Sequence, residues 1–195
     1  MEMPEISVAS KADYNQAIDT LTMGFSADPL ARWFFPTAEL YLRTAGPMFT
    51  AFGGLDIDTT TVFAADNFEG VAVWHPPGTH ASDDAVGQQV ESTMPADILE
   101  DVVAVFEQIE SYHPEGDIWY LPLIAVDPAH QGKGIGASLM KAALQKCDED
   151  GLPAYLESSN QRNITLYQRH GFEIMGEIQV GSSPIVTPML RPAQK

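Results

Sequence analysis

Cysteine is nearly missing from this chain. Cys147 is the one thiol in 195 residues, so no internal disulfide can form and a cysteine-rich metal cluster is excluded. Basic residues are scarce too: ten Lys and Arg stand against 27 Asp and Glu, for a formal charge of −17. So acidic a surface repels phosphodiester backbones and argues against sequence-independent nucleic-acid binding. No apolar run approaches the ~20 residues of a membrane span. The opening Met1-Glu2-Met3-Pro4-Glu5 lacks the basic flank and apolar stretch of an export signal. The expectation is a reduced, cytoplasmic, soluble protein without nucleic-acid or membrane partners. Repeats, low-complexity tracts and linker-like breaks in composition are absent as well, so one domain over residues 1–195 is expected. Hydrophobic residues make up 45% of the chain, and folding at this length buries roughly 70% of the unfolded surface, enough for a core.

The charge is uneven. Residues 1–132 carry 21 acids against Lys11, Arg32 and Arg43, a net −18, whereas residues 133–195 have a net +1. An anionic ligand is therefore repelled least by the C-terminal third, and the N-terminal part would attract a cationic acceptor.

Hydrophobic periodicity outlines the elements. Pro4–Ala9 reads as a short strand. Ser10 with Asp13 resembles a capping box ahead of a helix that carries Tyr14, Ala17, Ile18, Leu21 and Phe25 on one side. Asp28-Pro29 starts a short aromatic segment, and residues 37–52 read as a helix stopped by Gly53-Gly54. Thr61–Ala65 and Val71–His75 form a hairpin pattern, followed by helices at 83–92 and 96–112. Trp119–Val126 is a buried strand in which Pro122 cannot donate to a ladder, so that strand should be unpaired, bulged or splayed there. A glycine loop, a helix to Asp150, a strand at Ala154–Glu157 and a helix at Arg162–Arg169 follow. Phe172–Val180 and Ile185–Leu190 close the chain as an expected antiparallel pair. The alternation gives a mixed α/β fold.

The order strand, glycine-rich loop, helix carries the chemistry. It aims unpaired backbone N–H groups and a helix N-terminus at one point, a ready site for phosphate or pyrophosphate. Here the loop reads Gln131-Gly132-Lys133-Gly134-Ile135-Gly136-Ala137, with Lys133 as a cation at its mouth. No Walker A string occurs. The segment from Gly132 to Ala137 also fits a dinucleotide fingerprint, and Glu157 ends the next strand roughly where a ribose-binding acid would stand. Such fingerprints usually open a larger βαβ domain, however, and only 59 residues follow Gly136.

Gln131-x-x-Gly134-x-Gly136 resembles the acyl-CoA motif [QR]-x-x-G-x-[GA] of the GNAT superfamily of N-acetyltransferases. It is joined by Asn160 and then Tyr167-Gln168-Arg169-His170-Gly171-Phe172, a second signature in the same order and spacing. The resemblance is specific over about residues 118–180. Ala72-Val73-Trp74 and Leu156-Glu157-Ser158-Ser159-Asn160 look most like the branch that includes puromycin N-acetyltransferase. It implies a mixed, splayed central sheet of six to seven strands flanked by helices, with 1–117 on the acceptor side and 118–180 as the acyl-CoA core. It implies acetyl-CoA as cosubstrate, no metal, and a small-molecule or peptide primary amine acetylated by direct transfer in a ternary complex. The protein would be a monomer or homodimer. Pyrophosphate would lie on the amides of Gln131, Gly132, Lys133, Gly134, Ile135, Gly136 and Ala137. The acetyl carbonyl would lie on the backbone of Ile124, Ala125 and Val126, with Asn160 on the pantetheine and Asn163 in the same cosubstrate set. Tyr167 would protonate the departing thiolate. An acyl-CoA-binding protein of this fold without turnover is the alternative, and a dinucleotide-binding domain stands behind it.

An alkylammonium with a pKa near ~10.4 is inert until it loses a proton, and Glu157 is the candidate base. The competing role for Glu157 is a carboxylate that orients a side chain or binds the acceptor's cation. Trp33, Trp74 and His75 are candidate acceptor contacts. His75 and His80 lie five apart in a Pro-Gly loop, which is not helical metal-ligand spacing. His130 and His170 read as framework. Cys147, some three helical turns past the loop, reads as a core thiol and not as an acyl carrier.

Overall fold

A computed structural model describes residues 4–194. Strand β1 (Ile6–Val8) leads into a 3-10 turn at Lys11–Asp13 and helix α1 (Tyr14–Gly24). Asp13 Oδ2 accepts from the Ser10 amide at 3.2 Å, the reciprocal arm of a capping box. Helix α2 (Pro29–Phe34) begins at Asp28, whose Oδ1 accepts from the Leu30 and Ala31 amides at 3.0 and 3.1 Å. Pro29 at the first helical position has no N–H to leave unsatisfied. Thr37 caps α3 (Ala38–Phe52) through the Leu40 amide. The hairpin β2 (Thr61–Ala65) and β3 (Gly70–His75) precedes α4 (Asp83–Thr93) and α5 (Leu99–Tyr112). Then come β4 (Trp119–Val126), α6 (Ile135–Asp150), β5 (Ala154–Ser158), α7 (Ile164–Arg169), β6 (Glu173–Ile174) and β7 (Thr187–Arg191).

The strands make one seven-stranded mixed sheet in the order β1-β2-β3-β4-β5-β7-β6. Only β4 and β5 run parallel; the other pairs are antiparallel. Val62, Ala64, Val71 and Val73 face α1 and α3, packing on Leu21, Ala45, Met48 and Phe49. Their alternates Phe63, Ala65, Ala72 and Trp74 face α6, packing on Ile135, Leu139, Met140 and Ala143. This period-2 division is what burial on both faces of a sheet requires. No described helix is long and apolar enough to cross a membrane.

Strand β4 departs from that period at one place. Trp119 and Leu121 belong to the α6-side core, whereas Leu123 and Ala125, of the same parity, belong to the α1/α3 side. The change of face is a bulge: Val73 pairs with Leu123 and His75 with Tyr120, leaving Leu121 and Pro122 opposite Trp74 alone. On its other edge β4 pairs with β5 through Trp119, Tyr120 and Leu121, and the ladder stops there. Pro122, with no N–H to offer, marks both the bulge and the point where the two parallel strands part.

The end of the chain corrects the sequence expectation. Strand β6 is only two residues long, and one bridge, Ile178 to Val186, replaces most of the expected ladder. Residues 175–186 instead run along α5, where Ile178 and Val186 bury against Val105 and Ile109. Gly176 packs so closely on the Tyr112 ring that no Cβ would fit. The apolar face of α5 outbids the sheet edge for this segment.

Candidate active site

Where β4 and β5 separate, three depressions join through shared walls. The first is a groove over the glycine loop, bordered by Ile124–Val126, Gln131, Gly132, Gly134–Ala137, Asn160, Asn163 and Tyr167. The second is the gap itself, lined by Pro122, Ile124, Leu156, Glu157, Ser159, Asn163 and Tyr167. The third is an apolar pocket walled by Phe25, Phe34, Phe35, Phe49, Phe52 and Phe106, with Asp28, Glu157 and Ser159 as its polar members. Glu157 and Ser159 belong to both gap and pocket, and Tyr167 and Asn163 to both gap and groove.

Two glycine turns shape the groove. Gly134 precedes α6 at φ +87° and Gly132 stands at φ +75°. A Cβ at either would meet nothing within 4 Å, so the backbone turn, not crowding, demands glycine. The first helical bond of α6 runs from the Ser138 amide to the Gly134 carbonyl at 3.0 Å. The amides of Ile135, Gly136 and Ala137 therefore precede any in-helix acceptor. Gln131 Nε2 donates to the Val126 carbonyl at 3.2 Å and ties the loop to β4. Gly24 lets α1 close on β4, since a Cβ there would stand 2.6 Å from that of Ala125. Lys133 is exposed and stands outside the groove lining, and the bases that border it are Arg162 and Arg169.

Tyr167 is buried at the junction of groove and gap. Burial, and then the negative charge of Asp28, push its phenol well above the ordinary value, so the hydroxyl keeps its proton at neutral pH. Asn160 uses its side-chain oxygen to accept from the Arg162 amide at 3.1 Å, holding the turn before α7.

Glu157 reaches toward the α1/α3 side of β5, where its side chain is only 6% exposed. Its Oε2 accepts from the Tyr120 hydroxyl at 2.8 Å. Its Oε1 is buried without a hydrogen bond and lies 3.4 Å from His113 Nε2. Burial, followed by the charge of Glu157, holds the Tyr120 hydroxyl far above its usual range, so it remains a donor.

Several acceptor candidates fall elsewhere. Trp74 is wholly buried in the core against α6, on the opposite face of the sheet from the pocket. His75 is also buried, with Nε2 2.9 Å from the Gly53 carbonyl; burial lowers its pKa, and it holds the end of α3. Trp33 is half-buried against the cluster of Val105, Ile109, Ile178 and Val186, and donates from Nε1 to Ser182 Oγ at 3.0 Å, while Leu30, Ala31, Phe34 and Phe35 line the pocket in its place. His130 Nδ1 sits 2.9 Å from Glu69 Oε2 and His170 Nδ1 2.8 Å from the Leu166 carbonyl. Cys147 is buried in the α6 core, where burial pushes its thiol up to about 12.

Asp28 is the residue the sequence pattern under-read. Besides capping α2, its Oδ2 accepts from Ser159 Oγ at 2.7 Å, and it borders both the apolar pocket and the groove. Burial raises its pKa, opposed by the bonds from Ser159, Ala31 and Leu30. Asp28-Pro29 signals a helix start; nothing local signals that this start abuts Ser159, 131 residues away.

Among the described residues no group of three or more His, Cys, Asp or Glu could hold a metal ion. The profile of the acetyltransferase (GNAT) family matches residues 66–172. The chain belongs to this family. It is an N-acetyltransferase, and acetyl-CoA is the cosubstrate its family uses; the splayed gap and the free amides before α6 fit a pantetheine arm and its pyrophosphate. An uncharacterized N-acetyltransferase of Schizosaccharomyces pombe is 28% identical over 178 residues, covering 82% of this chain and 70% of that protein. A spermine/spermidine N(1)-acetyltransferase of Bacillus subtilis is 29% identical over 92 residues, 44% of this chain and 59% of that enzyme. The structure of a histone acetyltransferase HPA2 and related acetyltransferase from Corynebacterium glutamicum superimposes with a TM-score of 0.69 at 22% identity, covering 100% of this chain and 98% of that one. GNAT membership sets aside the dinucleotide reading of the glycine loop.

Proposed function

We propose that this acetyltransferase moves the acetyl group of acetyl-CoA directly onto the primary amine of a small molecule with an apolar, aryl-bearing skeleton. The observation that carries this reading is the pocket itself: six phenylalanines form its walls, and its carboxylates, Asp28 and Glu157, border it where it meets the groove and the gap. An ammonium would be drawn to the carboxylates and its carbon skeleton would lie among the rings. A polyamine would have to bury its second and third charges against phenylalanine, which costs several kcal/mol for each unpaired ion. The polyamine activity named for the Bacillus subtilis relative is thus not carried over. Residues 1–117 supply most of the acceptor wall and residues 118–180 the cosubstrate groove, within one domain.

In the reaction, Glu157 takes the proton of the bound ammonium and frees the nitrogen lone pair. The N–C bond forms as the C–S bond breaks, Tyr167 gives its proton to the departing sulfur, and the second proton of the acylated nitrogen restores the Tyr167 phenol, so that one proton in all is left on Glu157. When bound, acetyl-CoA supplies the activated acyl group; the amides of 131–137 and the unpaired edge of Pro122–Val126 hold and orient it. Cys147 is buried in the α6 core as a protonated thiol, which favours direct transfer over an acyl-enzyme.

The test is CoA release with 2-phenylethylamine, a linear alkylamine, agmatine and spermidine under saturating acetyl-CoA. The expected order places 2-phenylethylamine highest in kcat/KM and spermidine lowest. Spermidine as the best acceptor would overturn the proposed class. Stabilisation by acetyl-CoA without turnover of any amine would favour a binding protein over an enzyme acting on small amines.

A further inference from the structure

Glu157 separates two cavities that share no lining residue. On one side is the phenylalanine pocket. On the other is a polar cavity lined by Thr79, His80, Asp117, Tyr120 and His113 among others. Tyr120 and His113 bridge from Glu157 to this second cavity: Tyr120 through its hydroxyl at 2.8 Å, His113 through Nε2 at 3.4 Å from Oε1. A base enclosed by apolar walls has a problem of its own. Once it has taken a proton from the amine, the filled pocket offers no water to receive it, and the enzyme cannot turn over until the proton leaves.

We propose that His113 is a proton relay that empties Glu157 into the polar cavity. This rests on Glu157 being the base. The buried Oε1, without a hydrogen bond, faces a titratable group whose side chain is 22% exposed and lines the outlet. Tyr120 cannot serve, because its hydroxyl donates to Glu157 and holds its own proton too firmly. In the step, the proton on Glu157 passes to His113 Nε2 as the ring becomes imidazolium, and the ring then gives a proton to water in the cavity. No bond other than to hydrogen changes, and the net result is one proton moved from ammonium to solvent.

The groups around His113 suit a transient cation. Glu157 and Tyr155 face it from β5 and Tyr120 from β4, with both tyrosine rings 4.7 Å from its own. Glu110, one turn back on α5, adds negative charge. His75 from β3 opposes it, and His80 and Asp117 border the same cavity. His113 also caps the C-terminus of α5, donating its amide to the Glu110 carbonyl, where the helix dipole favours a positive ring.

The test compares His113→Ala, His113→Gln and Glu157→Gln, using 2-phenylethylamine or the fastest amine of the panel above. Each is measured across the neutral pH range with and without added imidazole. Removal of the relay is expected to lower kcat about tenfold, with KM for both substrates nearly unchanged. Imidazole should restore much of the His113→Ala rate and none of the Glu157→Gln rate. His113→Gln, close in size, controls for packing, and its melting curve shows that it folds. An undiminished kcat in both His113 variants, or a loss that imidazole leaves untouched, would overturn the relay. If Glu157→Gln keeps full activity, the base assignment itself fails. If only that variant is impaired, the base stands and the relay alone is wrong.

Discussion

At the scale of single residues, the proposed mechanism needs protons held on some oxygens and others left free to accept them. Tyr167 is protonated because it is buried near Asp28, and Tyr120 because it is buried beside Glu157. Replacing Tyr167 with Phe should therefore cut kcat by about a hundredfold while acetyl-CoA affinity changes little. Steady-state kinetics with a direct acetyl-CoA titration checks this, and equal losses in both would remove Tyr167 as the acid. That Tyr167 and Glu157 stand at the gap was legible in the sequence, because each sits at a fixed offset from a motif or a strand end. Asp28, His113 and Tyr120 were not: their meaning lies in contacts with partners 131, 44 and 37 residues away. Trp74 and His75 misled for a related reason. A strand shows which residues alternate but not which helix covers which face.

At the scale of elements, the decisive feature is the parting of β4 from β5. Pro122 announces it in the sequence, and the bulge opposite Trp74 carries it out. The glycine loop is equally local in origin. Gly134→Ala must place a side chain at φ +87°, at a cost of roughly 1–2 kcal/mol. The melting temperature should fall by roughly 2–8 °C, and acetyl-CoA binding should weaken as the loop amides lose their aim. A variant as stable and as tight-binding as the parent would show that the loop does not depend on this turn. The segment 175–186 behaves in the opposite way. Its sequence reads as strand, and the uncovered face of α5 recruits it instead.

At the scale of the whole molecule, charge links the site to stability. Burial pulls the pKa of His113 down, but its pairing with Glu157 at 3.4 Å and the charge of Glu110 outweigh it, so the folded value lies above the ordinary 6.5. A raised histidine pKa gives stability that is complete below the unfolded value and is lost as pH rises through the folded one. The difference in melting temperature between the parent and His113→Gln should thus be larger near about pH 6 than near about pH 8.5. A pH-independent difference would mean that the pair with Glu157 does not form. The net charge of −17 belongs to the same scale. It disfavours anionic partners generally, while Arg162 and Arg169 border the cosubstrate groove.

The sequence by itself determined the order of most elements, the glycine turns ahead of α6 and the break at Pro122, and it put Tyr167 and Glu157 forward as the residues the proposed mechanism uses. Each of these is written within a few consecutive residues, where backbone stereochemistry and periodicity act. Tertiary structure alone decided what lines the apolar pocket. The phenylalanine walls come from α2, α3, α5 and the residues that end α1 and α2, elements whose apolar faces are visible in sequence but whose neighbours are not. Which of those faces lines a cavity and which fills the core is settled when helices choose sides of the sheet. That choice depends on the total apolar area each arrangement buries, a property of the packed chain and of no segment within it.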